Sequence, residues 1–224
     1  MITTTLVAEP IKTTSGQLIG CELLTRFRRQ DLQVLSSEHF IMAMGIEGKR
    51  ALLKQQLKAI EVHASWFRQQ CLFCTVNIDT TQARLCILDV DIAQTLCKLE
   101  FIRLEISENF EGLEFGINHP VLKKLKNLGY RLFLDDLGSG KANVAALTTG
   151  CYEAVKLDRT FYRQEVKKNT FKILMQNIMK YCPYVIVEGV EQHQELPMLS
   201  DAGVTGVQGY LYKSVPFHLI HTLI

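Results

Sequence analysis

Short β-prone runs that each carry a polar residue at or near the end constrain the fold of this chain more than any other feature. The runs are LIGCELL, LFCTVN, IRLEI, RLFLDD, AVKLD, VIVEG and VTGVQG, and amphipathic stretches separate them. In the stretch 37–70, for example, Leu53, Leu57 and Ile60 recur at helical spacing. Because neighbouring parallel strands need a crossover of at least about a dozen residues, this alternation predicts a mainly parallel sheet covered by helices.

The number of predicted strands favours a closed barrel. An early run, from Thr3 to Ala8, adds an eighth strand, and eight strands close a (β/α) barrel. The alternative is an open doubly-wound sheet, which usually carries a Gly-rich phosphate loop after its first strand. Here TRFRRQ follows LIGCELL, without such a loop. We therefore predict an α/β chain, residues 1–224, that folds as a single (β/α)8 barrel domain of the TIM type.

Composition excludes several classes of protein. The 25 Lys and Arg residues balance 23 Asp and Glu residues, so the chain lacks the clustered positive charge expected of a DNA-, RNA- or membrane-surface-binding protein. No apolar run is long enough for a transmembrane helix, and the N-terminus does not read as a secretory signal. The seven cysteines are odd in number, which favours free thiols in a reducing cytosol. We interpret the CxxC of Cys71 and Cys74 as buried strand cysteines, because no second ligand pair for zinc follows.

The polar residues at the strand ends form the candidate site. In a barrel, the C-terminal ends of the strands converge on one face, here termed the barrel mouth. The residues predicted to meet there are Glu22, Asn77, Glu105, Asp135, Asp136, Lys156, Glu188 and Gln208. Any one of these acids alone would be read as a solvated or capping residue. Five carboxylates together repel one another, and one lysine does not neutralise them. Two Mg²⁺ or Mn²⁺ ions would neutralise these carboxylates. A pair of such ions also promotes an in-line displacement at phosphorus.

Seven ordered motifs connect these positions to a known family. The first is Glu22-Leu23-Leu24, with Arg26 two residues further on. The others are VNID, LEISE, DDLGSG, VKLD, VEGVE and QGYLYKSVP. With them the chain resembles the EAL domain, a bacterial phosphodiesterase of cyclic di-GMP, from about residue 8 to residue 216. The resemblance implies a modified barrel whose first strand runs antiparallel.

The resemblance also implies the ligands of the two metal ions. One ion would be held by Glu22, Asn77, Glu105 and Asp135. The second would share Asp135 and be held by Asp136 and Glu188. Gln208 would orient a metal-bound water, and Lys156 would lie near that water and the phosphate, so that Glu22, Lys156 and Gln208 form the catalytic set.

Three further roles follow from the same resemblance. Arg26 would contact a substrate phosphate, a role that suits the geometry of arginine. Asp158 would meet a guanine edge, and Glu108 would brace the DDLGSG loop. One departure concerns the substrate: Glu9 stands where the family commonly has Gln, and an acid near an anionic ligand repels it.

The resemblance therefore implies a stand-alone cytoplasmic enzyme, a homodimer, that uses two Mg²⁺ or Mn²⁺ ions per site. It would hydrolyse cyclic di-GMP to linear pGpG and so favour motility over adhesion and biofilm, and Ca²⁺ would support binding but inhibit cleavage. Two alternatives remain open. One is a non-catalytic EAL-type module that binds cyclic di-GMP or a regulatory protein, and the other is a metal-dependent phosphodiesterase for another nucleotide.

Overall fold

A computed structural model describes residues 2–29, 34–107, 110–139, 147–148 and 150–224, with the backbone alone at 29, 34 and 35. The strands are β1 (Ile2–Lys12), β2 (Leu18–Arg29), β3 (Val34–Leu35), β4 (Phe73–Ile78), β5 (Ile102–Ile106), β6 (Leu132–Leu137), β7 (Ala154–Leu157), β8 (Tyr184–Val187), β9 (Gly206–Val207) and β10 (Val215–Pro216). The α-helices are α1 (Ser37–Met42), α2 (Ile46–Val62), α3 (Ala64–Gln69), α4 (Thr80–Leu88), α5 (Val90–Lys98), α6 (Pro120–Asn127), α7 (Arg159–Glu165), α8 (Phe171–Met179) and α9 (Leu196–Asp201). Three 3₁₀ segments cover Leu113–Asn118, His193–Glu195 and Phe217–Leu223.

Eight of these strands close into a mixed barrel. From β2 through β4, β5, β6, β7 and β8 to β9, each strand pairs in parallel with the next. The remaining strand, β1, runs antiparallel to both β2 and β9 and closes the ring, while β3 and β10 extend the sheet at its two ends. The predicted (β/α)8 barrel with an antiparallel first strand is therefore confirmed.

One predicted strand end is wrong. The sequence placed the end of the second strand near Glu22, but β2 continues to Arg29. The reason is its antiparallel neighbour, because β1 pairs with β2 along the whole length from Ile2↔Arg29 to Lys12↔Leu18. The parallel pairing with β4 stops one residue after Glu22, at Leu23↔Val76. Glu22 thus lies at the barrel mouth although its own strand continues beyond it.

Apolar side chains fill two separate spaces. The parallel strands are buried on both faces, as in β5, where all five residues are buried. The larger core lies between the sheet and the helices, and a smaller one fills the inside of the barrel around Ile11, Phe133 and Ile186. The interior below the mouth is thus closed by packed side chains, which confines any polar chemistry to the mouth.

The helix predictions agree with the structure where it describes them. The predicted helical stretch 37–70 forms α1, α2 and α3. Apolar residues at helical spacing also predict helices around 121–128 and 171–179, and these are α6 and α8. Asn143, which the sequence offers as the N-cap of a helix after GSGK, lies outside the described residues. All seven cysteines are free, as expected; Cys74 is buried in β4, whereas Cys71 precedes the strand and is exposed. Within the described residues, no helix is both long and apolar enough to cross a bilayer.

Candidate functional site

The barrel mouth gathers the predicted polar residues. Asn77, Glu105, Asp135 and Lys156 lie in β4, β5, β6 and β7, close to where these strands end, while Glu188 and Gln208 directly follow β8 and β9. Consecutive parallel strands present their C-terminal ends on one face, and this is why residues so far apart in sequence meet. Glu22, Glu105, Lys156 and Gln208 are all buried.

The ammonium group of Lys156 lies at the centre of this cluster. Its Nζ is 2.9 Å from Glu22 Oε2, 2.6 Å from Glu188 Oε1 and 3.3 Å from Asp135 Oδ1, and it also contacts Glu105 Oε1. The lysine side chain is only 1% exposed. A single buried cation therefore forms ion pairs with four carboxylates.

Glu22 is the best-satisfied acid of the cluster. Asn77 Nδ2 donates to its Oε1 at 2.6 Å, and Lys156 Nζ and Gln208 Nε2 donate to its Oε2 at 2.9 and 2.6 Å. Burial by itself would raise the pKa of Glu22, but the charge of Lys156 and these hydrogen bonds outweigh burial, so the pKa of Glu22 is lowered. Glu22 is held as a carboxylate.

Burial dominates at two other acids. It raises the pKa of Glu105 and the pKa of Glu188 well above the ordinary value, and neighbouring carboxylates raise both further. Burial opposes the charge of Lys156, but the carboxylates around it outweigh burial and raise the pKa of Lys156. The cluster thus carries less negative charge than its number of acids suggests.

The cluster has the donors that a divalent cation requires. Two sets of carboxylates share Glu188, and within each set the oxygens lie within 4.8 Å of one another: Glu22, Glu105 and Glu188, and Asp135, Asp136 and Glu188. Glu105 Oε2 and Gln208 Oε1 are buried without a hydrogen-bond partner among the described residues. Hard oxygen ligands of this kind suit Mg²⁺ or Mn²⁺.

The remaining predicted site residues are not part of this cluster. Arg26 is exposed, further along β2 than Glu22. Asp158 caps α7, because its Oδ1 accepts a hydrogen bond from the backbone of Phe161 at 2.8 Å. Glu108 lies outside the described residues, so its expected contact with the DDLGSG loop stays a prediction.

Glu9 adds a further acid at the mouth. It lies opposite Glu22 in the β1–β2 register and is hydrogen-bonded to Gln208. Burial and the charge of Glu22 raise the pKa of Glu9. The sequence identified Glu9 only as a departure from the family pattern, whereas the structure brings it into contact with the predicted catalytic residues.

Sequence reasoning missed a cavity of about 490 Å³ beside the cluster. Asp135 and Asp136 line it together with Lys49, Gln56 and Met42 of α1 and α2. Lys49 pairs with Asp79 at 2.5 Å. A polar residue on an amphipathic helix is normally read as solvent-facing, so the sequence carried no signal that Lys49 and Gln56 are buried.

Named relatives match the chain over almost its whole length. The putative anti-FlhC(2)FlhD(4) factor YdiV of Escherichia coli K12 is 28% identical over 220 residues, which cover 96% of this chain and 92% of that protein. The anti-FlhC(2)FlhD(4) factor YdiV of Salmonella paratyphi B is 26% identical over 212 residues, covering 92% and 89%. The crystal structure of the EAL-like domain protein YdiV superposes with a TM-score of 0.90 at 27% identity, covering 100% of this chain and 97% of that one.

These relatives overturn the prediction of a cyclic di-GMP phosphodiesterase. They are named for an action against FlhC(2)FlhD(4), not for hydrolysis. The error in the sequence argument is physical: it held that only divalent cations could neutralise the gathered acids. In the structure Lys156 contacts four carboxylates, and burial raises the pKa of Glu105 and the pKa of Glu188. Such a cluster therefore does not imply hydrolysis.

The expectations that depended on hydrolysis lose their basis with it. These are the catalytic roles of Glu22, Lys156 and Gln208, cyclic di-GMP as a substrate, and inhibition of cleavage by Ca²⁺. The similarity of architecture is not affected by this correction. The family model of the EAL domain matches residues 3–214, and the chain therefore belongs to the EAL domain family.

Proposed function

We propose that this chain is a non-catalytic EAL-domain regulator that acts by binding a regulatory protein of the FlhC(2)FlhD(4) kind. The observation that carries the proposal is the end-to-end similarity to YdiV, with a TM-score of 0.90 over 100% of this chain and 97% of the other. The relatives that bear the name anti-FlhC(2)FlhD(4) factor match over nearly their full length as well. A protein-binding role is thus proposed for the whole domain.

The chemistry of the barrel mouth supports this proposal over nucleotide binding. Glu9 lies opposite Glu22 in the β1–β2 register and adds an acid at the barrel mouth, and an acid near an anionic ligand repels it. Like charges brought together in a poorly solvated site cost free energy. Of the two cations whose charge acts on Glu9, Lys156 is already shared among four carboxylates, which leaves the exposed Arg26.

Two measurements on the purified chain test the proposal. The first is saturable binding to purified FlhC(2)FlhD(4), measured by biolayer interferometry. The second is incubation with cyclic di-GMP and Mg²⁺ or Mn²⁺, read by chromatography, with Glu22→Ala as the matched control. We expect binding in the first and no pGpG in the second. Release of pGpG by the wild type and not by Glu22→Ala would contradict the proposal.

We also propose that the two carboxylate sets bind Mg²⁺ or Mn²⁺ without catalysis. Two observations support it: Glu105 Oε2 has no hydrogen-bond partner among the described residues, and the carboxylate oxygens of each set lie within 4.8 Å of one another. Any such ion competes with the ammonium of Lys156 for the same oxygens. Binding to the folded state alone would stabilise the protein by about 2.7 kcal/mol at a hundredfold excess over Kd.

Calorimetric titration with Mn²⁺ tests this second proposal without an activity assay. Glu188→Gln removes the acid that both sets share, and we expect it to weaken binding by about tenfold or more. The matched control is Glu61→Gln on the exposed face of α2. Absence of Mn²⁺ binding by the wild type at millimolar concentration would reject the metal site and leave the regulatory proposal unaffected.

A further inference from the structure

Two cavities meet on the side of the barrel opposite the mouth. The larger, about 790 Å³, lies where β4, β5 and β6 begin, and the smaller, about 480 Å³, lies between the end of α4 and α5. Cys97 lines both. We name the surface around them the α5 face and define it by Leu88, Val90, Cys97, Lys98, Leu128 and Arg131.

The α5 face exposes large apolar side chains. Leu88 is 76% exposed and Val90 is 66% exposed, and both line the smaller cavity. Leu128, which lines the larger cavity, is 45% exposed. Apolar side chains grouped at a cavity, rather than scattered singly, are typical of a surface that another molecule covers.

Positive charge surrounds this apolar surface. Arg68, Arg103 and Arg131 line the larger cavity, and Lys98 lines the smaller. Arg68 pairs with Glu100 at 2.9 Å, whereas Arg103 and Arg131 share the single carboxylate of Glu153 at 3.0 and 3.3 Å. Within the described part of the chain Lys98 forms no ion pair. Arg103 is itself buried, and these four cations have only two carboxylates, Glu100 and Glu153, as ion-pair partners among the described residues.

The surplus of positive charge argues against a second copy of this chain as the occupant. A two-fold interface would bring the same patch against itself, so that the basic residues of one copy would lie near those of the other. Like charges at an interface cost free energy and disfavour that partner. The charge instead complements an acidic partner.

We propose that the α5 face docks an amphipathic helix of a protein partner whose apolar stripe is flanked by Asp and Glu residues. The inference rests on the proposed function, because it assigns a surface to the protein partner named there. Apolar residues of the helix would cover Leu88 and Val90 and enter the cavities, as in other helix-in-groove complexes. The acidic flank would meet Lys98 and Arg131, which steers association and makes it salt-dependent.

The first experiment tests the chemistry of the face with a synthetic peptide. The probe is a helical peptide of about 18 residues with leucines at spacings of three and four and glutamates elsewhere, and its counterpart carries lysines in place of the glutamates. We expect the acidic peptide to bind the full chain about tenfold more tightly than the basic one. Failure of the acidic peptide to bind the wild type would overturn the inference.

Substitutions locate the binding. The double variant Leu88→Glu/Val90→Glu should weaken binding of the acidic peptide by about tenfold or more. Lys98→Glu alone should weaken it several-fold and make the affinity less dependent on salt. The matched control is Ile173→Glu on α8, an aliphatic side chain that is 56% exposed between β7 and β8. Lys98→Glu changes an exposed residue at the end of α5, so it tests the inference even if the double variant fails to fold. Equal binding by Lys98→Glu and the wild type would overturn the inference.

The second experiment repeats the series with purified FlhC(2)FlhD(4). Loss of binding in the α5-face variants but not in Ile173→Glu supports both proposals. Undiminished binding by those variants would show that the α5 face is not the docking site, and it would leave the proposed function in place. Binding of the peptide but not of the complex overturns the proposed function and leaves the face as a docking site for another acidic helix.

Two controls examine other occupants. A concentration-dependent dimer that Leu88→Glu/Val90→Glu abolishes in sedimentation would overturn the inference in favour of self-association. Recruitment of the wild type to phosphatidylglycerol vesicles, without binding of the acidic peptide, would overturn it in favour of a membrane surface.

Discussion

At the scale of the single residue, Lys156 determines how the acidic cluster can exist. Its ammonium is 1% exposed and contacts Glu22, Glu105, Asp135 and Glu188. The mutual attraction offsets the cost of removing these charges from water only because every partner lies within 3.3 Å. Removal of one member of the cluster should therefore lower the free energy of unfolding much more than the loss of an exposed ion pair does.

We predict that Lys156→Met lowers the free energy of unfolding by about 3–5 kcal/mol at pH 7.5. Without the ammonium, the pKa values of Glu22, Glu105 and Glu188 rise in the folded state, so the folded state binds more protons than the unfolded state as the pH falls. The loss of stability should therefore be smaller near about pH 5. Urea unfolding at both pH values measures this, with Lys172→Met on the exposed face of α8 as the control. An equal loss at both pH values would argue against the assigned role of Lys156.

At the scale of the element, sequence patterns predicted the helices better than the length of β2. Helix α6 was found because Leu122 and Leu125 lie at helical spacing and Gly129 ends the segment. The length of β2 was missed because it depends on a non-local partner, the antiparallel strand β1. Asp158 shows the same dependence on tertiary structure: its contact with Phe161 identifies it as the N-cap of α7, and its expected contact with a guanine edge stays a prediction.

The start of α6 carries a pH-sensitive contact. His119 precedes the helix, packs edge-on against Phe110 at a centroid distance of 5.3 Å, and has its Nδ1 buried without a hydrogen-bond partner among the described residues. Burial lowers the pKa of His119 below 6.5. Because the pKa of His119 is lower in the folded chain, the unfolded chain binds the proton more tightly than the folded chain does. Stability from the neutral imidazole is therefore complete above about pH 6.5 and is lost on acidification.

We predict that His119→Phe reduces the fall in unfolding free energy between pH 7.5 and about pH 5.5, because the ring packing remains and the titrating group is removed. Denaturant titrations across this range provide the measurement. His193→Phe, at an exposed position, serves as the matched control and should retain the wild-type slope. The same slope in wild type and His119→Phe would show that other groups cause the acid sensitivity.

At the scale of the whole molecule, closure of the barrel depends on what fills its centre. Ile11 from β1 packs with Phe133, Ala154 and Ile186 from β6, β7 and β8, and all four are buried. This cluster joins the antiparallel strand to the parallel ones across the interior. It also forms the floor beneath the acidic cluster, because the same strands carry Asp135 and Lys156.

We predict that Ile11→Ala lowers the free energy of unfolding by about 2–5 kcal/mol through the cavity it leaves. The exposed Ile173→Ala, a substitution of identical size, should change it by no more than about 0.5 kcal/mol. Guanidinium unfolding followed by circular dichroism distinguishes the two. If both variants unfold at the same guanidinium concentration, the barrel interior is not the stabilising centre of the fold.

The homodimer expected from the family resemblance stays a prediction.

The sequence by itself determined the architecture and the membership of the acidic cluster. Period-two and helical patterns are local, and seven short motifs in fixed order specify which strand supplies Glu22, Asn77, Glu105 and Glu188. Only the tertiary structure decided how the charges of this cluster are balanced. Whether gathered carboxylates require metal ions depends on the distance of each oxygen from the Lys156 ammonium and on burial, and neither quantity is a property of a single strand. The same holds for the α5 face, where Leu88, Lys98 and Arg131 become one surface only after the helices pack on the barrel.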